Sequence, residues 1–305
     1  MIITYTVANK ESLEKKIIEK FSYCPNNIKV FKFFEFLYSF CFRPFYIKNK
    51  INGISFDKPF AWSNNYFNKN NQIYSNHLSK LILEEDLNYL SKIEKYFDHL
   101  YIDEVQDLHS DDFDWLLTLS KLNIPVTVVG DFYQSTFATS RRGNKNSNLY
   151  TNYDKYKKKF EQTGFYFDDS TFNKSHRCPK NITTFVTQKL EIEMDSQKNI
   201  PSEINYINNQ DEISYIMANN NIKKLFYQNS SKYIGNCSNW GNSKGQEFNN
   251  VCVVLNPQSG KLFPDKLNKL ATTTLKKFYV ACTRTKNNLY FIDEKLIPNE
   301  FKIKI

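Results

Sequence analysis

The stretch "HLYIDEVQDLHSDD", His99 to Asp112, decides how this chain is read. Leu100, Tyr101 and Ile102 have the apolar, β-branched and aromatic character of a buried strand. The run stops in acid at Asp103 and Glu104, with Asp107 close behind. In parallel α/β sheets, ligands gather at the carboxyl ends of strands. An Asp placed there can hold Mg²⁺, and a neighbouring Glu can take a proton from an attacking water. The competing reading is an acidic helix N-terminus following a strand, which the helix dipole favours.

The flanking sequence supplies the rest of a sheet. "DDFDWLLTLSKL" reads as a helix, and "IPVTVVGD" (Ile124–Asp131) as a second strand that delivers Asp131 and Gln134 just past its end. Strand, helix and strand at this spacing make a βαβ unit with a parallel sheet. Upstream, "IITYT" (Ile2–Thr6) is a strand followed by a helix whose Leu13, Ile17 and Phe21 share one face. "IKVFKFFEFLYSF" (Ile28–Phe40) is a strand running into an aromatic helix. Residues 46–97 carry few periodic signals and read as a small insertion. Residues 140–164 are polar and are expected to cross between domains. Beyond them "FYFDDSTF", "VCVVL" and "LYFID" supply strands, with helices around "PKNITTFVTQKL" and "LKKFYVACTRTK". The expectation is an α/β protein of two parallel-sheet units, residues 1–150 and 151–305, with no internal repeat.

The chain has 305 residues and a net charge of +9, which favours an acidic partner such as nucleic acid. A lysine-rich surface would give the same charge. Arginine is more informative, because only Arg43, Arg141, Arg142, Arg177 and Arg284 occur among so many lysines. A planar fork that grips phosphate at two points is work lysine does badly. The six cysteines form no C-x-x-C pair and have no His at ligand spacing, which argues against zinc and for a reducing cytoplasm. The N-terminus lacks the apolar core of a secretory signal, and no run approaches the roughly 18 apolar residues of a membrane span.

With these residues in view, "DEVQD" and "GDFYQSTF" resemble motifs II and III of the UvrD/Rep/PcrA-like superfamily 1 DNA helicases. Four further stretches resemble motifs of the family, in its order. "TYTVANKESLEKKI" (Thr4–Ile17) is similar to motif Ia, which contacts single-stranded DNA. "NKSHRCPKNI" (Asn173–Ile182) is similar to motif IV, "SKGQEF" (Ser243–Phe248) to motif V, and "FYVACTRTK" (Phe278–Lys286) to motif VI. The resemblance implies two RecA-like lobes with ATP bound between them. It implies that Asp103 holds Mg²⁺, Glu104 positions the attacking water, and Gln134, Arg177 and Arg284 read and neutralise the γ-phosphate. Gly245 and Glu247 would lie against ribose and phosphates. Single-stranded or partly duplex DNA would meet Tyr5, Thr6 and Phe137, the aromatic rings by stacking on bases. For each ring the plain alternative is ordinary core.

The chain also departs from the family. No G-x-x-x-x-G-K-[ST] string occurs, so the phosphate-cradling loop with its Lys and Mg²⁺-binding hydroxyl is missing. The adenine-contacting segment upstream of it is missing too. The resemblance implies that the strand feeding that loop is central, beside the Leu100–Ile102 strand, so its loss opens a gap in the sheet with unpaired backbone groups. That points to a truncated or split form, or to a protein partner that supplies the segment. Val7 stands where motif Ia usually has Asn, motif III lacks its base-stacking Trp, and Asn239 and Gly241 stand near motif V's usual Thr and His. The gap of about 60 residues from motif IV to motif V leaves no room for the large 2B insertion. The expected function is an ATP-dependent DNA helicase or translocase, inactive as this chain alone. The alternative is an ATPase-inactive DNA-binding or scaffolding remnant. A metal-dependent nuclease is disfavoured, because no carboxylate cluster is followed by E-x-K.

Overall fold

A computed structural model of the chain describes residues 1–57, 65–136 and 145–303. It divides into two compact units, Met1–Phe167 and Asp168–Ile305.

The first unit is built on four parallel strands in the order Val30–Lys32, Ile2–Thr4, Leu100–Ile102, Val126–Val128. The apolar run of the opening stretch behaves as its alternation dictates: Leu100 and Ile102 are buried and Tyr101 between them is exposed. On the packed face, Phe33 and Phe36 of the short helix Phe33–Phe36 meet Trp115 of the helix Asp111–Thr118. Their rings are 5.5 and 6.2 Å from Trp115 in edge-on contacts, and all three are fully buried.

The sheet corrects the expected gap. The Leu100–Ile102 strand has a partner on each side, Ile2–Thr4 and Val126–Val128, so nothing is missing beside it. The sheet's edges are Val30–Lys32 and Val126–Val128. Val129 N–H donates to Ile102 and Leu100 N–H to Pro125, so odd-numbered residues face inward. Val126 and Val128 therefore turn their backbone groups outward, and among the described residues no further strand pairs with them. A strand added there would extend the sheet rather than fill a cleft.

Residues 46–97 are more than a small insertion. Besides the short parallel pair Ile54–Ser55 and Ile73–Tyr74, they contain helices Ser75–Glu84 and Tyr89–Tyr96. Leu78, Leu81 and Ile82 fall at helical spacing and are buried in the first unit's core, as are Tyr89 and Ile93. The unit boundary falls after Phe167 rather than after residue 150, because Tyr156 and Phe160 of the helix Tyr153–Glu161 are buried in the same core.

The second unit is built on a five-stranded parallel sheet in the order Cys237–Asn239, Ile222–Phe226, Asn250–Leu255, Leu289–Asp293, Ile204–Ile207, with a separate parallel pair, Lys174–Pro179 and Asp195–Lys198. Val251, Cys252, Val253, Val254 and Leu255 are all buried, the continuous pattern of a strand covered on both faces. Helices Lys180–Leu190 and Thr272–Cys282 form where the sequence places them. "FYFDDSTF" forms no strand; its Tyr166 and Phe172 are 93% and 87% exposed. Among the described residues, no helix is long and apolar enough to cross a membrane.

Candidate functional site

In the first unit the two adjacent strand ends are tied into one hydrogen-bonded chain. Asp103 follows its strand directly, half-buried, and its Oδ1 accepts the Glu104 N–H at 2.9 Å. This contact accompanies a left-handed backbone at Glu104, φ 59°, a conformation that costs a non-glycine residue about 1–3 kcal/mol. Glu104 Oε2 accepts a hydrogen bond from Gln106 Nε2, and Gln106 Oε1 accepts the Asp131 N–H at 3.1 Å. Asp131 Oδ2 in turn accepts from Gln134 Nε2 at 2.9 Å, while its Oδ1 caps the next turn through Tyr133 N–H. Glu104 and Gln134 are thus joined through two residues between them. Gln106, almost fully buried, was not singled out from the sequence, although it sits inside "DEVQD". Gly130 is glycine for the same reason: a Cβ there would collide with Gln106 Oε1 and crowd Val105.

The remaining acids of the opening stretch do different work. Asp111, Asp112 and Asp114 occupy the first turn of the helix Asp111–Thr118, where its dipole favours them. Lys145 pairs with Asp111 at 2.5 Å and with Asp114 at 2.6 Å, and Ser79 donates to Asp112. The acidic helix N-terminus is therefore formed by Asp111, Asp112 and Asp114, and not by Asp103 and Glu104. Mg²⁺ takes oxygen ligands, commonly one or two carboxylates completed by phosphate and water. The half-buried carboxylates Asp103 and Glu104 fit that role. Among the described residues, no group of three or more His, Cys, Asp or Glu side chains forms a closed metal cage.

Tyr5 and Thr6 follow the Ile2–Thr4 strand on the same rim. The Thr6 hydroxyl accepts the Asn9 N–H at 3.0 Å and caps the helix Val7–Phe21. Tyr5 is half-buried against Phe33 and Phe34, with ring centroids at 6.4 and 6.0 Å. Burial, with Asp112 and Asp107 nearby, pushes its phenol up to about 12. Phe137 lies outside the described residues.

In the second unit the chemistry gathers at the amino ends of the strands, the reverse of the carboxyl-end rule. Glu247 and Phe248 precede the strand Asn250–Leu255, and Thr283 to Lys286 precede Leu289–Asp293. The two segments are pinned together by Phe248 N–H to Arg284 C=O at 2.9 Å and Lys286 N–H to Phe248 C=O at 2.8 Å. Exposed Glu247 receives Lys286 at 2.8 Å and Arg177 through Nε at 3.0 Å and Nη2 at 2.9 Å. The Lys286 hydrogen bond, seconded by Arg177, holds its carboxyl down at about 2. Gly245, two residues earlier, has φ 77°, which glycine adopts without strain.

The two arginines meet at Thr283. Arg177 Nη1 donates to its carbonyl at 3.2 Å, and Arg284 Nη2 to its hydroxyl at 3.2 Å. Arg284 is 1% exposed, and its Nε donates to Val280 C=O at 3.0 Å. Arg177 and Arg284, 107 positions apart in sequence, therefore share one anchor that sequence reasoning missed. Thr283 gives no signal in the sequence beyond standing next to Arg284.

Among solved structures, the arterivirus nonstructural protein 10 helicase is 12% identical, with a TM-score of 0.48, over 97% of this chain and 54% of that one. Its complex with DNA gives 12% and 0.49 over 96% and 53%, and the PRRSV helicase 13% and 0.45 over 99% and 48%. The chain spans about half the length of these structures. No curated protein matches it. The family model for the viral superfamily 1 RNA helicase core domain matches residues 77–293, from the first unit's helices to the last strand of the second. That is well over half of the sequence, and the chain belongs to this family of viral superfamily 1 RNA helicase core domains.

Proposed function

We propose that the chain is the core of an ATP-dependent helicase or translocase that moves on single-stranded nucleic acid. The observation that carries the proposal is the continuous link Glu104–Gln106–Asp131–Gln134 across two neighbouring strand ends. Such a link lets the residue that positions an attacking water respond to the one that senses the phosphate. Asp103 would hold Mg²⁺, which when bound neutralises phosphate charge. Glu104 orients the water, and Arg177 and Arg284 are the arginines that neutralise phosphate charge.

The missing phosphate loop limits this chemistry. In this reading a strand feeding such a loop pairs with the outward edge of Val126–Val128. It would deliver its loop beside Asp131 and Gln134. Without it the chain binds nucleic acid and turns over little ATP, which is also what an inactive remnant does. The free thiols fit a reducing compartment.

The motif resemblance favours DNA, whereas the matched family is described for RNA helicases. Fluorescence anisotropy with oligo(dT), oligo(U) and a blunt duplex of equal length tests the reading. Single strands should bind with little regard to sequence, and log K should fall against log[salt] with a slope of about −0.7 per phosphate neutralised. Failure to bind either single strand would remove the proposed function.

A further inference from the structure

Three aromatic rings from three separate segments converge on one end of the first unit's sheet. Tyr5 follows the Ile2–Thr4 strand, and Phe34 stands two residues past the Val30–Lys32 strand that pairs with it. Phe34 lies edge-on to Tyr5 at 6.0 Å, and Phe56 lies edge-on to Phe34 at 5.6 Å and 80°. Tyr5 and Phe34 are half-buried, but Phe56, the outermost ring, is 69% exposed. Exposed single apolar residues are common. What distinguishes Phe56 is that its backbone is fixed on both sides. Ser55, nearly buried, pairs with Tyr74 in the short Ile54–Ser55 ladder. Its hydroxyl donates to Asp57 Oδ2 at 3.0 Å and accepts the Asp57 N–H at 3.2 Å. The backbone is held from behind and the ring rests edge-on against Phe34, which reduces the side-chain freedom lost when a flat partner meets it.

The position suggests the partner. Along the carboxyl rim of this sheet the order is Phe34, Tyr5, Asp103, Asp131, which sets the rings beside the carboxylates. We infer that Tyr5, Phe34 and Phe56 form a base-stacking platform for an unpaired nucleic-acid strand, with Phe56 as the ring that touches the base. The inference rests on the proposed function and deepens it. It shifts base contact from the two rings named by motif to one that no motif contains, and gives Tyr5 a supporting role. Stacking on a ring face tolerates any base, as a translocating enzyme requires.

The test measures binding of the full chain to a 20-nucleotide oligo(dT) and to an abasic strand of equal length. Phe56→Ala should weaken oligo(dT) binding roughly five- to 150-fold, the equivalent of about 1–3 kcal/mol for one stacked base. It should leave abasic binding and the salt slope unchanged, and Phe56→Trp should restore affinity. Tyr96→Ala serves as the control, since Tyr96 is 60% exposed and ends a helix at the opposite, amino end of the Leu100–Ile102 strand. Parental affinity in Phe56→Ala would overturn the inference, as would an equal loss on the abasic strand. If the parent binds neither strand, the proposed function falls with it.

Discussion

Glu104→Gln should lower nucleic-acid-stimulated ATP hydrolysis by about 10²–10⁴-fold once a phosphate-binding loop is joined to the chain or supplied in trans. That range is what a positioned general base contributes. The amide is nearly isosteric, and its oxygen still accepts the Gln106 hydrogen bond. The link to Asp131 and Gln134 therefore survives, and the loss should fall on kcat while affinity for single strands stays at the parental level. Steady-state turnover beside anisotropy separates the two. Unchanged turnover would mean that Glu104 only completes a turn whose left-handed backbone has some other cause.

Arg284→Lys should cost about 10²–10³-fold in kcat, the effect of removing one preorganised charge contact worth about 2.7–4 kcal/mol. Lysine carries the charge but not the planar fork, so it cannot reach both Val280 C=O and the Thr283 hydroxyl as Arg284 does. Because Arg284 is buried, the variant should also melt earlier than the parent. Measuring kcat well below the melting range separates chemistry from stability. A variant that melts early yet retains parental kcat would reduce Arg284 to a structural brace.

Strands were readable where alternation or a continuous apolar run is strong, because these are local properties. Leu100–Ile102 and Asn250–Leu255 are the clear cases, whereas Ile204–Ile207, Ile222–Phe226 and Cys237–Asn239 in the second sheet did not stand out. "FYFDDSTF" failed by the same rule: among the described residues no strand pairs with its aromatic run, and Tyr166 and Phe172 stand in solvent. The helix Ser75–Glu84 was missed although Leu78, Leu81 and Ile82 have helical spacing, because the polar sequence around them hides a short apolar stripe. At the candidate site, residue types pointed to Asp103 and Glu104, and the motif resemblance added Gln134, Arg177 and Arg284. The residues that hold them did not show, since Gln106 and Thr283 acquire their roles only when strand ends and distant loops come together. Strand order was likewise invisible. It is fixed by long-range pairing, and it puts a strand on each side of Leu100–Ile102, where a gap was expected.

The most direct test of the central claim, that this chain holds the water-positioning and phosphate-reading groups but not the phosphate cradle, is ATP hydrolysis by the 305-residue chain with oligo(dT) or oligo(U). It should be measured with and without a fused segment comprising a strand, a G-x-x-x-x-G-K-[ST] loop and a helix. The account predicts turnover near background for the chain alone and oligonucleotide-stimulated turnover for the fusion, abolished by Glu104→Gln. Robust stimulated hydrolysis by the unmodified chain would contradict it, because the phosphates would then be held by groups other than those assigned.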